Sequence, residues 1–311
     1  MRVGQNPIKS VESIAPPAPV TVVIITYIPF LSGYYAQSLE ILKRCLGSLA
    51  ANSDGDYDLM LFDNGSCAEV REYLLAEQAA GRIQYLTLSE RNLGKAGAWN
   101  IALAAAPGEV VVYADSDVLF LPGWLPAHLA ALEAFPQAGM VTGMPLLTPQ
   151  EFSTATIDWA GKARGVQVER GALIPWEDFW RHARSLGDDE PTARAFYAAN
   201  KAVRITKGKL TCFAGAGHFQ FAAPKAVLDA VLPIPAERPM GRVRLLDELV
   251  NAAGYLRLSL PEWTVQHMGN TLPEDAPVSS TPAARTRRLW PPYRKLLQWL
   301  YGRIFNILHR G

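Results

Sequence analysis

Apolar and polar residues fall in blocks along this chain, and the period of the blocks alternates. "VTVVIITY" (20–27) is a β-branched run without charge, the pattern of a strand buried on both faces. "SLEILKRCLGSLAANS" (38–53) then takes helical spacing, with Leu39, Leu42, Leu46 and Leu49 near one face. "YDLMLFDNGS" (57–66) predicts a second strand ending in turn residues, and "AEVREYLLAEQAAG" (68–81) a helix stopped by Gly81. "RIQYLTLS" (82–89) and "EVVVYAD" (109–115) predict two more strands, with a helix over "KAGAWNIALAAA" (95–106) between them. A turn and helix over 121–135 and a fifth strand over 138–144 complete the series.

Strand and helix alternating at this spacing predict an α/β fold with a mostly parallel sheet covered on both faces. Ligands of such sheets lie outside the carboxyl ends of the strands. Polar residues collect at that edge: Thr26 and Tyr27, Asp63 and Asn64, and Asp115 to Asp117.

After residue 150 the pattern changes. "WEDFWRHARSLGDDEPTARAFYAANKAV" (176–203) is aromatic, charged and predicted helical. "KLTCFAGAGHFQFAAP" (209–224) predicts a strand with a glycine-rich interruption. The stretch 244–270 predicts a helix ending near Gly254, a strand and an irregular segment. The expected organisation is a loose tail over 1–19, halves of one domain over 20–150 and 151–275, and a linker with a basic amphipathic helix over 276–311.

Composition narrows the classes. A net charge of +1 argues against a large nucleic-acid footprint. Cys45, Cys67 and Cys212 lie far apart with no CxxC pair, which argues against a disulfide framework or structural zinc and fits a reducing cytosol. The first 19 residues lack the continuous apolar core of a signal peptide. No stretch reaches the roughly 18 apolar residues that span a bilayer, so a cytoplasmic location is expected. In the last segment, Leu297, Leu300, Tyr301, Ile304, Phe305 and Leu308 share one helical face, with Lys295, Gln298, Asn306 and His309 opposite. That pattern fits a helix lying in an anionic membrane surface at the inner face of the cell membrane, and equally one packed on the domain.

The carboxylates in "VVVYADSDVLFLPGWL" (111–126) carry the first chemistry. Asp115 and Asp117 repel each other where partly buried, unless a cation sits nearby. A hard divalent cation with oxygen ligands resolves the repulsion and suits a diphosphate. A plain turn is the competing reading.

The stretches "VTVVIITY", "LFDNGS", "NLGKAGAWNIAL" and "VVYADSDVLFLPGWL", in this order, resemble the family 2 glycosyltransferases of the GT-A fold, a Rossmann-like mixed sheet flanked by helices. The likeness covers roughly residues 20–145, with the D-x-D at Asp115 and Asp117 its most specific piece. "LLDELVNAAGYLRL" followed by "VQHMGN" resembles the family's later acidic motif and metal-binding histidine. The resemblance implies a nucleotide-diphosphate sugar across the strand ends, with Thr26, Tyr27 and Asp63 at the nucleobase and ribose and Asn92 and Gly94 beside the nucleotide. It implies Asp115 at ribose or metal, Asp117 and His267 at the metal, and Mn2+ or Mg2+ as that metal. His as a softer donor tilts the expectation toward Mn2+.

Transfer to a hydroxyl needs a base. Asp247 or Glu248 fits that role, with Asp247 falling where the acidic motif falls, although the order here is "DE" and not "ED". A solvated helix face is the plainer reading of such a pair. A carboxylate attacking opposite the leaving group implies inversion, as does the resemblance. His218 and Gln220 in "FAGAGHFQF" (213–221) and Trp124 after "LPG" are candidate contacts to the acceptor, a glycan or lipid-linked hydroxyl. The glycines there equally fit a β-bulge, and Trp124 equally fits packing.

The expected function is metal-dependent inverting glycosyl transfer. A sugar-nucleotide nucleotidyltransferase is the alternative, but "TYIPFLSGYYAQ" (26–37) has one glycine and no Lys or Arg after the first strand. A non-catalytic nucleotide-sugar-binding protein is a third. It would need no base.

Overall fold

A computed structural model describes residues 4–10, 14–238, 242–272 and 294–309. The chain divides into two compact units, one over Ala18–Ala283 and one made of Met1–Pro17 with Ala284–Gly311.

The first unit begins with β1 (Val20–Thr26), α1 (Ser38–Asn52), β2 (Tyr57–Asp63), α2 (Ala68–Ala79), β3 (Tyr85–Leu88), α3 (Gly94–Ala105) and β4 (Val110–Asp115). β5 (Val118–Phe120), α4 (Trp124–Ala134), β6 (Ala138–Thr142), α5 (Thr154–Lys162) and β7 (Val166–Gly171) follow. Then come α6 (Trp176–Ser185), α7 (Glu190–Ala199), β8 (Ala202–Lys207), β9 (Leu210–Ala214) and β10 (Gln220–Pro224). α8 (Lys225–Val231), α9 (Arg244–Ala252), β11 (Leu256–Ser259) and β12 (Val265–His267) close it. In the second unit the described α-helix is α10 (Arg294–His309).

Ten strands form one sheet in the order β3-β2-β1-β4-β10-β6-β11-β9-β8-β7. The β3-β2-β1-β4 block is parallel, β10 runs antiparallel between β4 and β6, and β6 and β11 are parallel again. Strands from both sides of residue 150 interleave, so the sheet continues across that position. The core has two layers because side chains alternate across a strand. Val22 and Ile24 of β1 pack with Leu42 and Leu49 of α1 and Leu74 of α2. Val23 and Ile25 face the other way, onto Trp99 and Leu103 of α3. Each such side chain, once fully buried, contributes about 1.5–3 kcal/mol.

Two local expectations are refined. The 176–203 run is two helices and the start of β8, with Asp189 capping α7 by accepting from the Thr192 amide at 2.9 Å. The 209–224 stretch is two strands, β9 and β10, separated in the sheet by β6 and β11. The glycine segment between them is therefore a crossover, not a bulge. At Gly215, φ is +124° and a Cβ would run into the Thr148 side chain, so the crossover needs glycine there. Val118–Phe120 forms β5, which pairs antiparallel with β12 in a separate two-stranded ribbon.

Candidate active site

The carboxyl ends of β1, β2 and β4 meet the amino end of α3. Gly94 opens α3 with φ +72°, a conformation that disfavours any side chain. Asn64, just past β2, ties this turn down: its Oδ1 accepts from the Leu93 amide at 2.8 Å and its Nδ2 donates to Asn92 Oδ1 at 3.0 Å. Asn92 Oδ1 also accepts from the Gly94 amide at 2.7 Å. Asn92 therefore shapes the loop, and its exposed position leaves the loop facing solvent at the strand ends.

Thr26 is buried with no hydrogen-bond partner for its hydroxyl, while Tyr27 is exposed. Asp63 differs from its expected role. Its side chain is fully buried, accepting from the Ser66 amide at 3.1 Å and from Arg71 Nε at 3.3 Å. As it stands it holds the β2–α2 loop and presents no oxygen to a nucleoside.

Asp115 also departs from expectation. Lys95 of α3 places its ammonium 2.7 Å from one carboxylate oxygen, and the Tyr113 hydroxyl donates to the other. In this arrangement Asp115 is paired with Lys95 and Tyr113. Among the described residues no group of three or more His, Cys, Asp or Glu is placed to hold an ion.

Asp117 and His267 are brought together by the ribbon. Val118 of β5 pairs with His267 of β12, and the Met268 amide donates to the Asp117 carbonyl at 2.8 Å. His267 Nε2 lies 3.2 Å from Asp117 Oδ2. Asp117 Oδ1 is buried without a hydrogen-bond partner among the described residues. On the other side of the ring, Ser185 at the end of α6 donates its hydroxyl to the His182 carbonyl at 2.6 Å, so its oxygen accepts from His267 Nδ1 at 3.0 Å. With the proton assigned to Nδ1, Nε2 faces the carboxylate and needs either a second proton or a cation between them. Burial works against a second proton, but the hydrogen bond and charge of Asp117 outweigh it, and the His267 pKa is raised. An orphaned carboxylate oxygen and an imidazole oriented through its other nitrogen form a donor pair that fits a divalent cation.

The second cluster lies on α9 and β11. Asp247 is buried, 2.8 Å from Arg257 Nη2 and 2.9 Å from His218 Nδ1. Arg257 is 1% exposed on β11, and its guanidinium also donates to the carbonyls of Phe152 and Ala216. Burial lowers its pKa and the Asp247 carboxylate opposes that shift. The Asp247 side chain is 7% exposed and that of His218 is 33% exposed, so the imidazole is the group that reaches the cleft. Asp247 holds Nδ1, which leaves Nε2 with its lone pair. His218 and Asp247 line a cavity of about 490 Å³, and Glu248 does not. That separates the two acidic candidates and places His218 beside Asp247 at the cavity, with Asp247 orienting the imidazole.

The two clusters adjoin. The ring centres of Phe219 and His267 are 5.7 Å apart and those of His182 and His267 6.2 Å apart. Burial and then His267 push the His182 imidazole down to about 3, so it is neutral.

Two expected acceptor contacts are corrected. Trp124 is wholly buried, donating from its indole to Ser53 Oγ at 3.0 Å and packed on Phe120. Gln220 is also wholly buried, accepting from the Gly143 amide at 2.8 Å and bonded to His128. Both are structural, because no ligand reaches a side chain without exposed surface. The sequence reading missed Lys95, Ser185 and Arg257. Arg257 had a signal: a lone charge inside "YLRLSL" (255–260) demands a buried partner.

A sequence model described as "Glycosyl transferase family 2" matches residues 21–159. An uncharacterized glycosyltransferase of Nostoc sp. is 33% identical over 122 residues, which are 38% of this chain and 36% of that protein. The chain thus matches about a third of the length of this curated relative. Among solved structures, GalNAc-T7 with UDP, GalNAc and Mn2+ gives a TM-score of 0.52 at 15% identity, covering 81% of this chain and 44% of that one. A mannosyltransferase from Pyrobaculum calidifontis in complex with GDP-Man and Mn2+ gives 0.49 at 16% identity, covering 86% and 62%. At 15% identity the likeness to GalNAc-T7 speaks for the fold alone. Residues 21–159, which carry β1 to β6 and the D-x-D turn, thus match the family 2 glycosyltransferase model, on a mixed, mostly parallel sheet flanked by helices whose fold is the GT-A fold.

Proposed function

We propose that the protein moves a sugar from a nucleotide-diphosphate donor to a hydroxyl acceptor, with inversion at the anomeric carbon and dependence on Mn2+ or Mg2+. The observation that carries this reading is the Asp117–His267 pair, 3.2 Å apart at the edge where β4 ends, with one carboxylate oxygen unsatisfied. UDP, GalNAc and Mn2+ in GalNAc-T7, which shares the fold, support the donor class and the metal.

Thr26, Tyr27 and the Asn92–Gly94 turn form the nucleoside side of the cleft in this reading. Asp117 and His267 hold the metal, which when bound neutralises charge on the departing diphosphate. Lys95 fixes Asp115 beside them through its ion pair. His218 Nε2 takes the proton of the acceptor hydroxyl as that oxygen bonds to the anomeric carbon. The carbon–oxygen bond to the diphosphate breaks, and its electron pair leaves on the phosphate oxygen. Asp247 steadies the imidazolium, and Arg257 fixes Asp247. Attack from the face opposite the diphosphate inverts the centre.

We further propose a cytoplasmic enzyme that touches an anionic membrane through α10. Leu296, Trp299, Leu300, Ile304 and Ile307 of this helix are exposed, and the Arg303 guanidinium lies 5.1 Å from the Trp299 ring centre. The other positions of the expected apolar and polar faces, Leu297, Phe305, Leu308, Lys295, Gln298, Asn306 and His309, have side chains outside the described residues. Among the described residues no helix is long and apolar enough to cross a membrane.

The test is a panel of nucleotide-diphosphate sugars screened by thermal shift with and without Mn2+. One donor is expected to stabilise the protein only with the metal, because a ligand raises apparent stability by mass action. Equal stabilisation without metal, or in Asp117→Asn with metal, removes the metal role. No shift with any donor removes the transferase reading.

A further inference from the structure

The cavity of about 490 Å³ beside Asp247 is lined mostly by apolar side chains. His218, Asp247 and Arg257 form the polar cluster described above, and Thr148, His182 and Thr192 also contribute to the lining. Leu146, Phe152, Phe179 of α6, Phe196 of α7 and Phe219 supply its large apolar surface. Phe179 and Phe196 lie parallel with ring centres 5.9 Å apart, a firm aromatic wall. The remaining charged lining residues, Asp188 and Arg244, are exposed and mark the open side. α6 is anchored to the ribbon that carries His267: Trp263 donates to Asp178 at 2.9 Å, and Arg181 bonds Gln266. The apolar walls are thus held in register with the metal pair.

We propose that this cavity receives the apolar body of the acceptor: an alcohol whose hydroxyl meets His218 Nε2 and whose aliphatic or aromatic remainder lies against Phe152, Phe179 and Phe196. The proposal rests on the transferase reading for the identity of the occupant. A free oligosaccharide does not suit these walls. Most of its hydroxyls would lose water against phenylalanine and leucine and gain too few partners in return. An apolar body gains about 0.8 kcal/mol per buried methylene instead. The cavity is of a size that encloses most of a drug-sized molecule.

Binding of hexan-1-ol, octan-1-ol, decan-1-ol, biphenyl-4-ylmethanol and maltotriose to the full chain, saturated with UDP or GDP and Mn2+, tests this by calorimetry. Affinity is expected to rise about fourfold per methylene until the cavity is filled, and maltotriose is expected not to bind. Phe179→Asp on α6 and Ala193→Trp on α7, which fills the space, are each expected to abolish the rise. Their melting and their nucleotide–Mn2+ binding report that the domain is folded. Tighter binding of decanol than of the biphenyl alcohol assigns an aliphatic body, and the reverse an aromatic one. Maltotriose binding as well as the alcohols, or a chain-length dependence that survives in both folded variants, overturns the proposal. Absence of nucleotide binding in the unmodified protein, with the chain-length effect intact and lost in the variants, would sink the donor reading while leaving the apolar site standing.

Discussion

In the proposed mechanism, single residues divide the acid–base and metal labour by who their neighbours are. Asp115 and Asp117 are two positions apart, yet one is saturated by Lys95 and Tyr113 and the other keeps a bare oxygen beside His267. Lys95→Met is therefore expected to free Asp115 and weaken, not abolish, nucleotide binding, measured by titration with Mn2+. His218→Gln removes the proton acceptor while keeping a hydrogen-bonding side chain, and is expected to lower kcat by about 10²–10⁴ with donor binding unchanged. Glu248→Gln should stay within about threefold of the unmodified rate, because Glu248 does not line the cavity. A large loss in Glu248→Gln with full activity in His218→Gln would overturn the assignment.

At the scale of elements, the site depends on short segments locked by one or two bonds. β5 and β12 are three residues each, and together they set the Asp117–His267 distance. Ser185, at the last residue of α6, orients the imidazole from the far side. Ser185→Ala is expected to weaken metal-dependent nucleotide binding by about 10-fold, with little change in melting temperature. α10 yields a separate expectation. A chain lacking residues 290–311 should remain folded and cease to sediment with anionic vesicles, and continued sedimentation would exclude the helix as the contact. These devices were only partly legible beforehand. The long periodic helices α1 and α3 were readable, because 3.6-residue spacing repeats over several turns in each. A three-residue strand such as β5 has no period to read, and the 209–224 run hides its break because both strands are equally apolar.

For the whole molecule, buried neutral histidines tie stability to pH. Burial pushes His182 down to about 3, and burial likewise lowers His128. Between the unfolded value near 6.5 and the folded ones, the unfolded chain binds more protons, so stability rises with pH across that window. It is fully present above about 6.5 and is lost as pH falls toward 3. Urea midpoints are expected to fall between pH 7 and pH 5, and His182→Asn should shrink that fall. No change in the variant would discount His182 as a source.

The order of buried strands and covering helices and the polar carboxyl edge were determined by sequence alone, because local periodicity and turn chemistry need no distant partner; the candidacy of Asp117 came from its paired carboxylates, and that of Asp247 and His267 from the resemblance to family 2 glycosyltransferases. Tertiary structure decided which candidates face the cleft. Trp124 and Gln220 turned inward, Asp63 and Asp115 were paired with Arg71 and Lys95, and His218 joined Asp247 at the cavity while Glu248 did not. Most of those outcomes depend on residues distant in the chain, up to more than a hundred positions apart, such as Arg257 against Phe152 and Ser185 against His267, brought together only when one sheet and its ribbon assemble.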